Sequence, residues 1–316
     1  YYIIYNNHFY FMKFKFLLFF IFFYNSNCFM FQMNSNIKLK NNNNISINKF
    51  KSYIKLTRPN AILYEFGLPV TGSYLISNNI NIFYNPTVIL LGFISVLIGS
   101  NSMVINDYYD YKNGVDSEKK NKILNLGYLT SEQVLHFSYL LNILTFYLIS
   151  FINNNLIRNI LSTNIILTYL YTPILKPIPF VKNFIVSFII SQSLIVGALI
   201  IDYNLIKILP HIFYLFNFIL WQEIILDATD ISGDKLSNIY TIPVLLGIKK
   251  SYIIALIFLL FGTLIPFGFN FLFILLQTPT LFITIYAIIK NVIISNKFIK
   301  FSNFFMLLSG IYLCYL

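Results

Sequence analysis

Hydrophobic positions in this chain come in long blocks and do not alternate with polar ones. From Ala61 onward, runs of Leu, Ile, Phe and Tyr recur with polar punctuation between them. Such runs approach the roughly 20 residues a helix needs to cross about 30 Å of hydrocarbon. No short alternating pattern suggests strands, so the spans must be helices. The pattern predicts an all-α integral membrane protein, a nine-transmembrane-helix bundle over residues 60–77, 86–105, 134–152, 156–172, 184–201, 208–226, 251–268, 271–289 and 301–316. Arg58-Pro59 and Asn85-Pro86 introduce the first two spans, and Pro173 through Pro179 follow the fourth.

Composition agrees. The 316 residues are 57% hydrophobic and only 10% charged, with a mean hydropathy of +0.70. A soluble domain carries about 25% charged residues. Cys28 and Cys314 lie at opposite ends and support neither a disulfide framework nor a thiolate metal site. His8, His136 and His211 are isolated from one another.

The net charge of +11 does not mark a nucleic-acid binder, because its placement follows membrane topology. Eight basic residues precede Glu65, the first acid, so the first 64 residues hold +8 of the total. With nine spans, the leader and the second, fourth, sixth and eighth loops share one face. Twelve lysines fall on that face, against Arg158 and Lys207 on the other. This is the asymmetry of the positive-inside rule. Of the acids, only Glu65 and Asp202 stand apart from that face.

Residues 1–52 read as a leader and 53–316 as the functional domain. Lys13 and Lys15 flank the start of an apolar run, Phe14 to Tyr24, and an acid-free Asn- and Lys-rich stretch follows. A hydrophobic core followed by a basic segment resembles the two-part leaders of secondary plastids. On that reading the protein is multi-pass in an organellar membrane, plastid-type first and the mitochondrial inner membrane second. A low-complexity tail is the alternative.

The few acids are gathered into two motifs. The first is Asn106-Asp107-x-x-Asp110-x5-Asp116. If the second span continues as helix, Asn106 and Asp110 (i,i+4) and Asp107 and Asp110 (i,i+3) share a face. In the second, Glu223, Asp227, Asp230 and Asp234 follow spacings of 4, 3 and 4, a continuous helical stripe. Four acids on one stripe need positive compensation. An oxygen-only set suits Mg2+, a hard ion that bridges carboxylates to phosphate. A solvated acidic rim is the bland alternative, but two such clusters on one face favour metal binding.

The stretches "NDYYDYKNGVD" and "DATDISGDK", about four spans apart, resemble the two aspartate-rich motifs of the UbiA superfamily of intramembrane prenyltransferases. "LTRP" at Leu56 to Pro59, "YTPILK" at Tyr171 to Lys176 and "TIPVLLG" at Thr241 to Gly247 fit the same pattern. The late third aspartate, Asp116, is similar to the dihydroxynaphthoate branch. The "DISGDK" tail is similar to the homogentisate, chlorophyll and archaeal ether-lipid branches.

The resemblance implies Mg2+-dependent transfer of a prenyl group from an allylic prenyl diphosphate, with the lipid bilayer as surroundings. Aromatic or ring acceptors (quinone or chlorin precursors) come first, with a lipid alcohol or 4-hydroxybenzoate as alternatives. It assigns Asp107 and Asp110 to one metal group and Asp227, Asp230 and Asp234 to the other. Asn106, Lys122, Lys176 and Arg58 become diphosphate contacts, with Tyr171 as hydrogen-bond donor. Asp116 or Asp234 becomes the proton acceptor. Glu65 within a span is either an acceptor-site or polar-lining group, or a local partner of Arg58. The rival class is a transporter with an acidic ion or substrate site, which predicts acids spread through the membrane depth.

Overall fold

The computed structural model describes residues 44–115, 122–237 and 239–314, all helix and connecting turns. Asp116 and most of the expected leader therefore lie outside the described residues. Helix α1 (Asn44–Leu56) leads into α2 (Ile62–Ser77) and α3 (Pro86–Lys112). There follow α4 (Ser131–Ser150), α5 (Asn155–Leu170), α6 (Val181–Leu199) and α7 (Leu209–Thr229). Two short helices, α8 (Ile231–Leu236) and α9 (Ile242–Leu246), precede α10 (Ile248–Leu264), α11 (Phe271–Lys290) and α12 (Asn296–Leu313). The expected leader boundary at residue 52 falls inside α1, whose Leu56 packs in one cluster with Val104, Ile123 and Leu124.

Helices lie over every stretch expected to span. Five of them, α3, α4, α6, α7 and α11, are long and apolar enough to cross a membrane. Local chemistry sets their starts. Asn85 Oδ1 accepts from the backbone N–H groups of Thr87 and Val88 at the head of α3, and Pro86 takes the first position, where its missing N–H costs nothing. Thr130 and Gln133 form a reciprocal capping box on α4. The α3 helix runs 27 residues, about 40 Å at 1.5 Å per residue. That length carries Asn106 to Lys112 past the expected end of the span at residue 105.

Small residues draw α2 against α6. A methyl group on Gly72 would lie 2.0 Å from the Leu194 carbonyl oxygen, and one on Gly197 would lie 1.9 Å from that of Pro69. Ser73 Oγ seals the contact by donating to the Gly197 carbonyl at 2.6 Å. Such close backbone approach is how helices associate where lipid offers no hydrophobic drive. The largest buried cluster lies in the second half of the chain, where Trp221, Phe218, Tyr252 and Phe273 are fully enclosed.

Candidate active site

The first acidic motif ends α3, which stays helical through Lys112, so Asn106 and Asp110 meet as their spacing predicts. Asn106 Nδ2 donates to Asp110 Oδ2 at 2.9 Å. Lys176 reaches over both, with its ammonium 2.5 Å from Asp110 Oδ1 and 3.3 Å from Asn106 Oδ1. Thr172 Oγ1 donates to the same Asn106 oxygen at 3.2 Å. Asp107 faces a different pair of cations. Its Oδ1 accepts from Lys122 at 2.9 Å and from Arg58 at 3.3 Å. Beside it lies a small cavity lined by Asp107, Lys122, Tyr111 and Leu56.

A proline sets the position of Lys176. Pro173 has no N–H to give the Tyr169 carbonyl, so the end of α5 widens into a π-turn over Tyr171–Leu175. The Lys176 N–H then bonds the Tyr171 carbonyl, five residues back, at 2.7 Å. Arg58 owes its reach to a left-handed backbone, φ 48°, between α1 and α2. It pairs with Asp107, not with Glu65, so the local pairing considered for Glu65 is not the one that forms.

The second motif differs from its expected geometry. The stripe is interrupted at Asp230, where φ −120° and ψ 22° end α7 before α8 begins. Asp227 and Asp234 are buried, at 4% and 5% exposure, whereas Asp230 is half-buried. Among the described residues no three Asp, Glu, His or Cys side chains converge on one point. Asp227 is held by groups that sequence reasoning did not single out. Lys182 Nζ lies 2.5 Å from its Oδ1, and Asn183 Nδ2 donates to its Oδ2 at 2.9 Å. Asp234 accepts from Thr241 Oγ1 at 3.2 Å. Burial raises the Asp234 carboxyl above its usual range, and Asp227 and Asp230 add to the rise. Lys182 and the Thr241 hydrogen bond oppose it.

Tyr171 joins the two halves. Its phenol lies within electrostatic reach of Asp110 in the first motif and of Lys182, Glu223 and Asp227 around the second. Residues more than a hundred positions apart are thus gathered by α3, the π-turn, α6 and the end of α7. The structure brings together Asn106, Asp110 and Lys176 in one group and Asp107, Lys122 and Arg58 in another, with Tyr171 within electrostatic reach of both Asp110 and Asp227. Lys182 and Asn183 were legible only as a polar pair at the head of an apolar run.

The chain matches the model of the UbiA prenyltransferase family over residues 66–310. It is 33% identical over 211 residues to the digeranylgeranylglyceryl phosphate synthase of Methanosphaera stadtmanae, covering 65% of this chain and 72% of the relative. To the synthase of that name from Saccharolobus solfataricus it is 30% identical over 236 residues, covering 72% and 81%.

Solved structures agree on the fold. A chain from a structural study of digeranylgeranylglyceryl phosphate synthase in membranes superposes with a TM-score of 0.62 at 24% identity, over 84% of this chain and 98% of that one. A UbiA homolog from Archaeoglobus fulgidus bound to DMAPP and Mg2+ gives 0.60 at 18%, over the same shares. The chain belongs to the UbiA prenyltransferase family. It is an integral, multi-pass membrane enzyme that transfers prenyl groups, and the transporter alternative falls away.

Proposed function

We propose that this enzyme transfers a prenyl group from an allylic prenyl diphosphate to the hydroxyl of a phosphorylated glycerol lipid. The observation that carries the reading is the set of three cations gathered at the first motif. Lys122 and Arg58 meet Asp107, and Lys176 meets Asp110. A donor diphosphate and an acceptor phosphate are two anionic groups, and clustered Lys and Arg side chains suit phosphate oxygens. The relatives' names point the same way. They give no support to a quinone or chlorin ring acceptor, nor to a plastid or mitochondrial membrane, and no organelle is assigned.

The residues fit Mg2+. Every candidate ligand is a hard oxygen: Asp107, Asp110, Asp227, Asp230 and Asp234, with the Asn106 and Asn183 amide oxygens beside them. Asn183 Oδ1 is buried without a hydrogen-bond partner. Such an oxygen-only set suits an ion that keeps its waters and shares itself between one or two carboxylates and substrate phosphates. When bound, Mg2+ would neutralise charge as diphosphate departs.

The chain's own residues supply the remainder of the mechanism. Lys176 and Lys122 bring ammonium groups to the diphosphate oxygens, and Arg58 offers a planar fork suited to phosphate. Tyr171 donates a hydrogen bond from between the motifs. These donors are fixed before reaction and gain strength as negative charge accumulates on the leaving group. The prenyl tail lies among the apolar helices. We take residues 53–316 as the catalytic unit, with nine helices crossing the membrane and the site on the basic face. The family match at 66–310 falls within that unit, and the lysine distribution supports the sidedness.

Purified enzyme in lipid vesicles should convert labelled geranylgeranyl diphosphate and geranylgeranylglyceryl phosphate to the diether product. EDTA should abolish turnover and Mg2+ restore it. Transfer to 4-hydroxybenzoate or homogentisate, with none to the glycerol lipid, would overturn the acceptor assignment.

A further inference from the structure

Glu65 is an acid inside a span, and the diphosphate site does not use it. It opens α2, half-buried, and its Oε2 is shielded from solvent without a hydrogen-bond partner. Its carboxyl occupies the space beside Gly99 of α3. A methyl group on Gly99 would lie 2.1 Å from Glu65 Oε1 and 2.9 Å from Oε2. The seat exists because residue 99 has no side chain.

The direction of that seat is informative. At about 100° per residue, Asn106 and Asp110 project within about 20° of the Gly99 Cβ direction, to either side of it. The Glu65 carboxyl therefore lies on the α3 stripe that carries Asn106 and Asp110, about 10 Å deeper than Asn106. On the proposed binding mode, diphosphate held at the level of Asn106, Asp110 and Lys176 would direct its prenyl C1 down this stripe, toward the apolar interior. An attacking oxygen approaches C1 from the side away from the departing diphosphate, at about 3–3.5 Å before bond formation. That is the side on which Glu65 lies.

We infer that Glu65, seated on Gly99, forms the subsite for the acceptor's attacking hydroxyl, its carboxyl oxygen accepting the hydroxyl's hydrogen bond and orienting it toward C1. The inference rests on the proposed prenyl transfer to a lipid alcohol. It explains why an acid is kept at a depth where polar groups are costly, and why its free oxygen has no partner within the protein.

The test is steady-state kinetics with geranylgeranyl diphosphate and geranylgeranylglyceryl phosphate as probes, using enzyme whose fold is verified by thermal unfolding. Glu65→Leu should raise the acceptor KM about 10- to 100-fold, the loss of one strong hydrogen bond. The prenyl diphosphate KM should stay within about 2-fold. Glu65→Gln keeps an acceptor oxygen and should recover most of the lost affinity. Gly99→Ala displaces the carboxyl and should reproduce the acceptor defect with Glu65 intact, which keeps the idea testable if the leucine variant does not fold. An unchanged acceptor KM in Gly99→Ala and in folded Glu65→Leu, or an equal rise in both KM values, overturns the subsite. Wild-type enzyme that transfers nothing to this acceptor overturns the functional reading, and the subsite with it.

Discussion

The Lys182 ammonium lies 2.5 Å from Asp227 Oδ1, with about nine-tenths of both side chains withdrawn from solvent. Removing one member of a buried pair leaves the other charge uncompensated, at a cost of about 3–5 kcal/mol. Lys182→Met should therefore destabilise the purified protein by about 3 kcal/mol in reversible unfolding. Combining it with Asp227→Asn should recover a large part of that loss, because neither charge is then stranded. A double variant as unstable as the sum of the singles would show that the pair is not coupled.

In the proposed mechanism Lys176 acts on the leaving group from the position in which it meets Asp110. Lys176→Met removes positive charge where the diphosphate departs. Losing one such pre-set donor typically costs about 100- to 1000-fold in kcat. The same order is expected for Asp110→Asn, with an added shift of the Mg2+ dependence to higher concentration. Lys176→Arg should rescue only in part, because the longer planar group cannot reproduce contacts of 2.5 and 3.3 Å to Asp110 and Asn106. Single-turnover rates at saturating substrates are the measurement.

Much of this arrangement was legible in the sequence, for a physical reason. Apolar blocks of bilayer length fix helices almost independently of context, so the expected spans overlie the observed helices. The i,i+4 relation of Asn106 and Asp110 needed only that α3 continue, and it does. The second motif was harder. Spacings of 4, 3 and 4 describe a stripe only on an unbroken helix, and the break at Asp230 depends on how α8 packs back against Thr241. Lys182 was one lysine among many until α6 carried it to Asp227. Tertiary pairing of this kind has no periodic signature.

Asp234 gives a pH prediction for metal-free protein. Its carboxyl is raised above its ordinary value of 3.8, chiefly by burial. For an acid raised in the folded state, the native protein holds the proton longer than the unfolded chain. Between the unfolded value and the higher folded one, the native state binds more protons, so stability falls as pH increases. The contribution is fully present below pH 3.8 and is lost as pH rises through the folded value. Asp234→Asn should flatten this part of the stability–pH curve, measured by chemical unfolding in EDTA. A slope unchanged by the substitution would assign the effect to other groups.

Pro173 offers the sharpest separation of stability from function. The proline forces the π-turn by withholding an N–H from the Tyr169 carbonyl, and the wider turn brings Lys176 onto Asp110. Pro173→Ala restores the missing donor and lets α5 continue with ordinary i→i−4 bonds. Relieving the π-turn removes one residue's worth of widening, which rotates everything after it by about 100° about the helix axis. Lys176 then points away from Asn106 and Asp110. The helix itself should gain, since a proline within a helix costs about 3 kcal/mol relative to alanine. The expected result is a variant at least as stable as wild type whose kcat/KM for prenyl diphosphate falls by about 100-fold or more, comparable to loss of the lysine itself. Adding Lys176→Met to Pro173→Ala should then cost little further, because the ammonium is already out of place. Full activity in the alanine variant, with α5 lengthened, would show that Lys176 reaches the diphosphate without the π-turn.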